Sequence, residues 1–288
     1  MTECNKKVKL TSSEGKIVQY KQQSDLAFML LVKSQLQDNP LDVNELLTYS
    51  LFPVPYIFET PDGFFAKTNK AKMLHFLLEE YTDHVEYPEN SFHIEDGNAL
   101  IHSLRDLPPT FGEICLLILD QLKSKRNFLF STDSYFPDSI KSQERLRRGF
   151  SQKHIINGPS TRKPKDMKLF LSNDENKKQL FELLLNTFKS DASIKRLGQC
   201  DTAILAVDGK SYELKVSNDQ CVLNEIVQLQ SNQEETDTRV ILYLNYAAEQ
   251  GFESAIVRTP DTDIFFILLH HASTINLEIY LDTGSGKN

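Results

Sequence analysis

The chain has 288 residues, 40% of them hydrophobic and 25% charged, with a formal net charge of −8. That length holds one large or two small domains around a sizeable core. The negative balance excludes a generally basic, non-specific nucleic-acid binder but leaves room for a local basic track. Cys4, Cys115, Cys200 and Cys221 show no close pairing, which fits a reducing compartment better than a disulfide scaffold. The polar N-terminus does not read as a signal peptide, and apolar runs such as 26–32 are too short to span a bilayer. The expectation is a soluble intracellular protein, nuclear or cytoplasmic, with no membrane partner.

In chain order, residues 1–18 are polar and are expected to be loosely ordered. Helices are predicted over 24–37 and 41–51, separated by the Asn39-Pro40 break. Thr60-Pro61-Asp62-Gly63 predicts a turn between two short strands. A helix over 67–81 is expected to bury Met73, Leu74, Phe76, Leu77 and Leu78. Residues 1–90 thus form a mainly helical accessory segment in which no chemistry is visible.

From Ser91 the pattern changes to alternating strands and helices, the mark of a parallel α/β sheet. Phe92–Glu95 reads as a strand running into Asp96 and a helix. Phe111–Leu122 reads as an apolar helix, and Asn127–Thr132 as a strand ending on Asp133. A helix carrying Lys141, Arg145, Arg147 and Arg148 follows. Residues 149–168 read as a loop or mobile insertion within a 149–200 insertion and helical region, and 174–189 as a helix with Leu180, Leu183, Leu184 and Phe188 on one face. Asp208-Gly209 joins two strands in a hairpin, and Ile226–Leu229 is expected to be a short strand. Ser231 and Glu234 have capping-box spacing, opening a helix from about Glu235 to Gln250. Ala255–Val257 is a buried strand, followed by Asp261, Thr262 and Asp263 at a helix start. The last strand is expected over Asn276–Leu281.

Acids therefore stand at four strand or helix ends: Asp96, Asp133, Glu235 with Asp237, and Asp261 with Asp263. Any one of them alone reads equally well as a helix cap. Open α/β sheets, however, gather their ligands at the carboxyl ends of strands. Carboxylates sharing one cleft raise each other's pKa values, and hard divalent cations relieve that repulsion. An all-oxygen donor set suits magnesium or manganese. Two such ions about 4 Å apart could clamp the attacking and leaving oxygens of a phosphodiester. No zinc spacing is present; His270 and His271 are adjacent and are expected to point apart. Nor is there a phosphate-binding glycine loop.

These stretches resemble, in order, the motifs of the flap-endonuclease-like (PIN-like) nucleases. Asp96-Gly97-Asn98-Ala99-Leu100-Ile101 resembles the first aspartate motif. Phe128–Asp133, with Ser139-Ile140-Lys141 and Glu144–Arg148, resembles the second motif and its basic helix. Glu235-Thr236-Asp237 resembles the acidic helix start, and Thr259-Pro260-Asp261-Thr262-Asp263 the Ser-x-Asp-x-Asp strand end. The chain as a whole is also similar to a group of animal proteins of this architecture.

The resemblance implies a PIN-like, Rossmann-like, mostly parallel sheet flanked by helices over 91–288. It implies that Asp96, Asp133, Glu235 and Asp237 serve one magnesium or manganese ion and that Asp261 and Asp263 hold a second. Lys141 with Arg145, Arg147 or Arg148 would contact the phosphate of DNA or RNA. Three departures are visible. A long segment precedes Asp96, whereas the family places its first aspartate near the N-terminus. The sequence stops before the family's later Gly-x-Asp element, so that duplex-binding element is expected to be missing. Thr236 also stands where a small apolar residue is usual. The implied activity is metal-dependent phosphodiester hydrolysis of nucleic acid. Two alternatives stay open, a catalytically silent nucleic-acid-binding or protein-interaction module and a small-molecule phosphatase.

Overall fold

The computed structural model describes residues 7–11, 17–21, 32, 69–77, 79, 86–136, 139 and 152–284. The chain divides into two compact units, 1–76 and 77–288. In the first, β1 (Lys7–Thr11) and β2 (Ile17–Lys21) form an antiparallel pair with Val8 opposite Tyr20 and Leu10 opposite Val18. This corrects the expectation of loose order for the described part of 1–18, residues 7–11 and 17–18. Apolar and polar residue types alternate through Lys7-Val8-Lys9-Leu10, and that period-two signal outweighs the polarity of the stretch. Of the helices expected over 24–37 and 41–51, only Val32, which is helical, falls among the described residues.

Helix α1 (Lys70–Leu77) lies within the stretch expected to be helical, but its apolar side chains are not buried as expected. Met73 is 57% exposed and Phe76 75%. Spacing of apolar residues identifies a helix face but not what covers it.

The second unit is built on a seven-stranded sheet. β3 (Phe92–Asp96) is the middle strand of its parallel block and pairs with β4 (Asn127–Ser131) on one side and β8 (Ser254–Arg258) on the other. β5 (Thr202–Val207) and β9 (Glu278–Asp282) extend this parallel block. β6 (Lys210–Ser217) and β7 (Gln220–Glu225) add an antiparallel margin beyond β5. Asp208 and Gly209 both have positive φ, as the primed turns that suit strand twist require. Asn218 and Asp219 do the same between β6 and β7, where the absence of glycine hides the turn from sequence. Val227–Leu229 is a single 3-10 turn, which corrects the strand expected there.

Helices cover both faces. On one lie α3 (Phe111–Leu122) and α5 (Asp174–Phe188), whose Ile118, Leu119, Leu180 and Leu184 pack with Phe128 and Phe130 of β4. On the other lie α7 (Thr236–Glu249) and α8 (Thr262–His271), packed on Phe92, Ile94, Leu129 and Val257. Short helices α2 (Gly97–Ser103), α4 (Met167–Leu171) and α6 (Asp191–Leu197) complete the order. β4 is apolar on both sides through Phe128, Leu129 and Phe130 because both sides are covered, whereas β3 turns Phe92 and Ile94 to one face and His93 and Glu95 to the other.

The described part of the stretch expected to be a mobile insertion is instead pinned to the start of α3. Phe111 N donates to Thr161 O, Gly112 N to Pro159 O and Lys163 N to Pro109 O, at 2.8–3.0 Å. A Cβ on Gly112 would come within 2.6 Å of Pro159 Cβ, so this contact depends on glycine. Among the described residues no helix is long and apolar enough to cross a membrane. Cys115, Cys200 and Cys221 are free thiols.

Candidate functional site

The carboxyl ends of β3, β4 and β8 lie side by side, and each leads into an acid. β3 ends on Asp96, which caps α2 by accepting from Ala99 N at 3.1 Å. The helix begins at once because Gly97 is small: a Cβ there would lie 2.6 Å from Phe130 Cζ and 2.7 Å from Ser131 O. Beyond β8, the buried Thr259 turns the chain by accepting from Asp261 N at 3.1 Å. Asp261 then caps α8, its Oδ1 accepting from Asp263 N at 2.8 Å.

Beyond β4, residues 132–134 are joined to the start of α7. Asp133 Oδ1 accepts from Thr236 N at 3.0 Å, Ser134 N donates to Glu234 O at 2.7 Å, and Arg239 Nη2 donates to Thr132 O at 2.5 Å. The capping box expected from Ser231 and Glu234 does not form. Ser231 Oγ accepts from Gln233 N instead, and Thr236 N at the start of α7 turns to Asp133, 103 residues away in sequence. Asn98 Nδ2 donates to the other oxygen, Asp133 Oδ2, at 2.5 Å. Asp133 therefore links the start of α2 to the start of α7, and Glu235 and Asp237 flank the amide it caps.

Beneath these acids sits a polar layer that sequence reasoning missed. Ser131 Oγ lies 3.0 Å from both Thr236 Oγ1 and Tyr243 Oη, and Arg239 Nε donates to Glu235 O at 3.2 Å. All four side chains are buried. The signal was present: Arg239 falls within the apolar stripe Val240, Tyr243, Leu244 and Ala247 of α7, where an unpartnered charge would be too costly to keep.

Burial pushes the Asp96 carboxyl up to about 6, and the charges of Asp133 and Asp261 add to the rise against the opposing pull of the Ala99 and Asn98 amides. Asp133 and Asp261 therefore each act on Asp96 across the ends of adjacent strands. Asp263 and Asp237 stand on the first turns of the helices that Asp261 and Asp133 cap, and Glu235 immediately precedes the second of them. His270 and His271, expected to point apart, have ring centroids 4.7 Å apart in an edge-to-face contact. Lys141, Arg145, Arg147 and Arg148 lie outside the described residues.

The donor chemistry at this edge is oxygen only, which suits a hard cation. Each capped oxygen keeps a second lone-pair site, so a cap on Oδ1 does not spend the carboxylate. Among the described residues, however, no three carboxylate, imidazole or thiol groups stand in an arrangement that would hold one ion. Compared with family models, curated proteins and solved structures, the chain matches none.

Proposed function

We propose that this chain is a divalent-metal-dependent phosphodiesterase of the flap-endonuclease-like (PIN-like) class, acting on DNA or RNA. The observation that carries this reading is the placement of Asp96, Asp133 and Asp261 at the carboxyl ends of three adjacent parallel strands, where the latter two charges help raise the Asp96 carboxyl. The α7 start, with Glu235 and Asp237, is held against the same edge by Asp133. Asp96, Asp133, Glu235 and Asp237 would hold one magnesium or manganese ion, and Asp261 with Asp263 the second. Bound there, the ions would polarise the phosphate and supply a nucleophile at neutral pH. The chain's own contribution is placement. The buried Ser131–Thr236–Tyr243–Arg239 layer fixes the height of α7 against β4, and the Thr259 turn fixes Asp261 beside Asp96. Lys141, Arg145, Arg147 and Arg148 are proposed to hold the substrate backbone, giving an acidic protein a local basic track.

The test is cleavage of single-stranded and branched DNA and RNA by purified protein with magnesium or manganese. Parent protein should cut, and Asp261→Asn should lose at least about a hundredfold in rate. Equal cutting by both proteins would assign the activity to a contaminant and remove this reading. A second reading, a catalytically silent nucleic-acid-binding module, draws on the lack of three suitably arranged metal donors among the described residues. It predicts nucleic-acid binding that is indifferent to EDTA and no cleavage with any metal.

A further inference from the structure

Behind the acidic edge, on the face of β3 opposite α7, two adjoining cavities of about 240 and 170 Å³ share Glu95, Leu100, Ser103 and Arg258 in their walls. The smaller opens at Asp96 and Thr259. The larger runs back between α2 and α3, with Leu100, Leu104, Leu117 and Leu122 as its apolar wall. Its inner polar groups are Glu95 and Lys125, with Gln121 exposed at the rim. Glu95 is 1% exposed and its carboxylate contacts the Lys125 ammonium. Apart from that contact, no hydrogen-bond donor among the described residues reaches Glu95 Oε1. Arg105 and Arg258 are exposed cations in the same wall, and Arg105 makes no ion pair among the described residues. Arg258 is held only at 3.7 Å by Asp282.

The size of the cavity limits its occupant. Pockets for drug-sized ligands begin at about 300 Å³, so this one takes a single ring system and leaves the rest of a ligand outside. Leucine walls suit a flat apolar ring. A buried carboxylate with spare acceptor capacity suits a ring bearing N–H groups, and arginines in the wall suit an anion attached to that ring. We propose that this cleft is a nucleotide pocket, in which one nucleobase lies against the leucines with an N–H edge on Glu95 and its phosphate lies at Arg105 and Arg258. The choice of a nucleotide rests on the nuclease reading. The pocket would receive a base of the strand whose backbone passes Asp96.

The test uses the full chain in EDTA, so that no ion at the acidic edge can bridge a phosphate. It is titrated with each nucleoside 5′-monophosphate, with ribose 5-phosphate and with inorganic phosphate, by calorimetry and saturation-transfer NMR. At least one nucleotide should bind at least about tenfold more tightly than ribose 5-phosphate, and Arg105→Ala should weaken it by about tenfold. Leu117→Trp, which fills the cavity, should abolish binding. Gln121→Trp, at an exposed position on the cavity wall, serves the same purpose if the first variant does not fold. Nucleotide affinity no better than that of ribose 5-phosphate, or unchanged in the tryptophan variant, overturns the pocket. Cleavage is scored separately: nucleotide binding without cleavage keeps the pocket and removes the nuclease reading, and cleavage without nucleotide binding does the reverse.

Discussion

Asp96→Asn should make this protein more stable, and by an amount that depends on pH. The Asp96 carboxyl stands at about 6 in the folded chain against an ordinary value of 3.8. The folded state therefore binds more protons than the unfolded state between about pH 4 and 6, and stability falls as pH rises through that window. At about 1.4 kcal/mol per pH unit, the ionised side chain costs the fold about 3 kcal/mol at pH 7.5 and about 1 kcal/mol at pH 4.5. Asparagine stays neutral and can still accept from Ala99 N as a helix cap. Urea denaturation of parent and variant at both pH values should show a gain close to these figures, larger by about 2 kcal/mol at the higher pH. Comparing the two proteins at each pH cancels the titration of other groups. A variant that is less stable at pH 7.5, or that gains equally at both pH values, would refute the reasoning. The same variant should be inactive, so this position would trade stability for function.

If the acidic edge takes a cation, magnesium at ten times its Kd should stabilise the parent by about 1.4 kcal/mol. A thermal melt should register that gain in the parent and not in Asp96→Asn. Gly97→Ala should cost about 2 kcal/mol in urea denaturation, because its Cβ would press on the buried Phe130 ring and overpacking outweighs any gain in helix propensity. Arg239→Met leaves Thr132 O without its side-chain donor, while Glu235 O keeps Thr238 Oγ1; it should lower stability by about 1–3 kcal/mol and reduce activity even though Arg239 itself is buried. An unchanged denaturation midpoint would show that the polar layer under α7 is dispensable.

Much of the second unit was legible in the sequence because its strands are covered on both faces. A run such as Phe128–Phe130 has little choice but to be buried, and α3 covers the Phe111–Leu122 stretch that its apolar run predicts. The acids were legible as strand-end residues for the same reason. What bonds them was not. The cap on α7 comes from Asp133 rather than Ser231, because a local pattern cannot weigh a donor's distant partner against a near one. β7 escaped because Asn218 and Asp219 adopt positive φ without glycine. The β1–β2 hairpin escaped because short alternation in a lysine-rich stretch looks like a polar tail.

The bonding of Asp133 decides how loss-of-function substitutions should be interpreted. Its two oxygens tie α7 to α2, so an inactive Asp133→Ala protein could as readily report a loosened helix as a missing functional group. Asp261 is exposed and caps only the helix that follows it. A silent phenotype at Asp261 in a normally folded protein speaks about chemistry, whereas the same phenotype at Asp133 first requires proof that the helix is still in place.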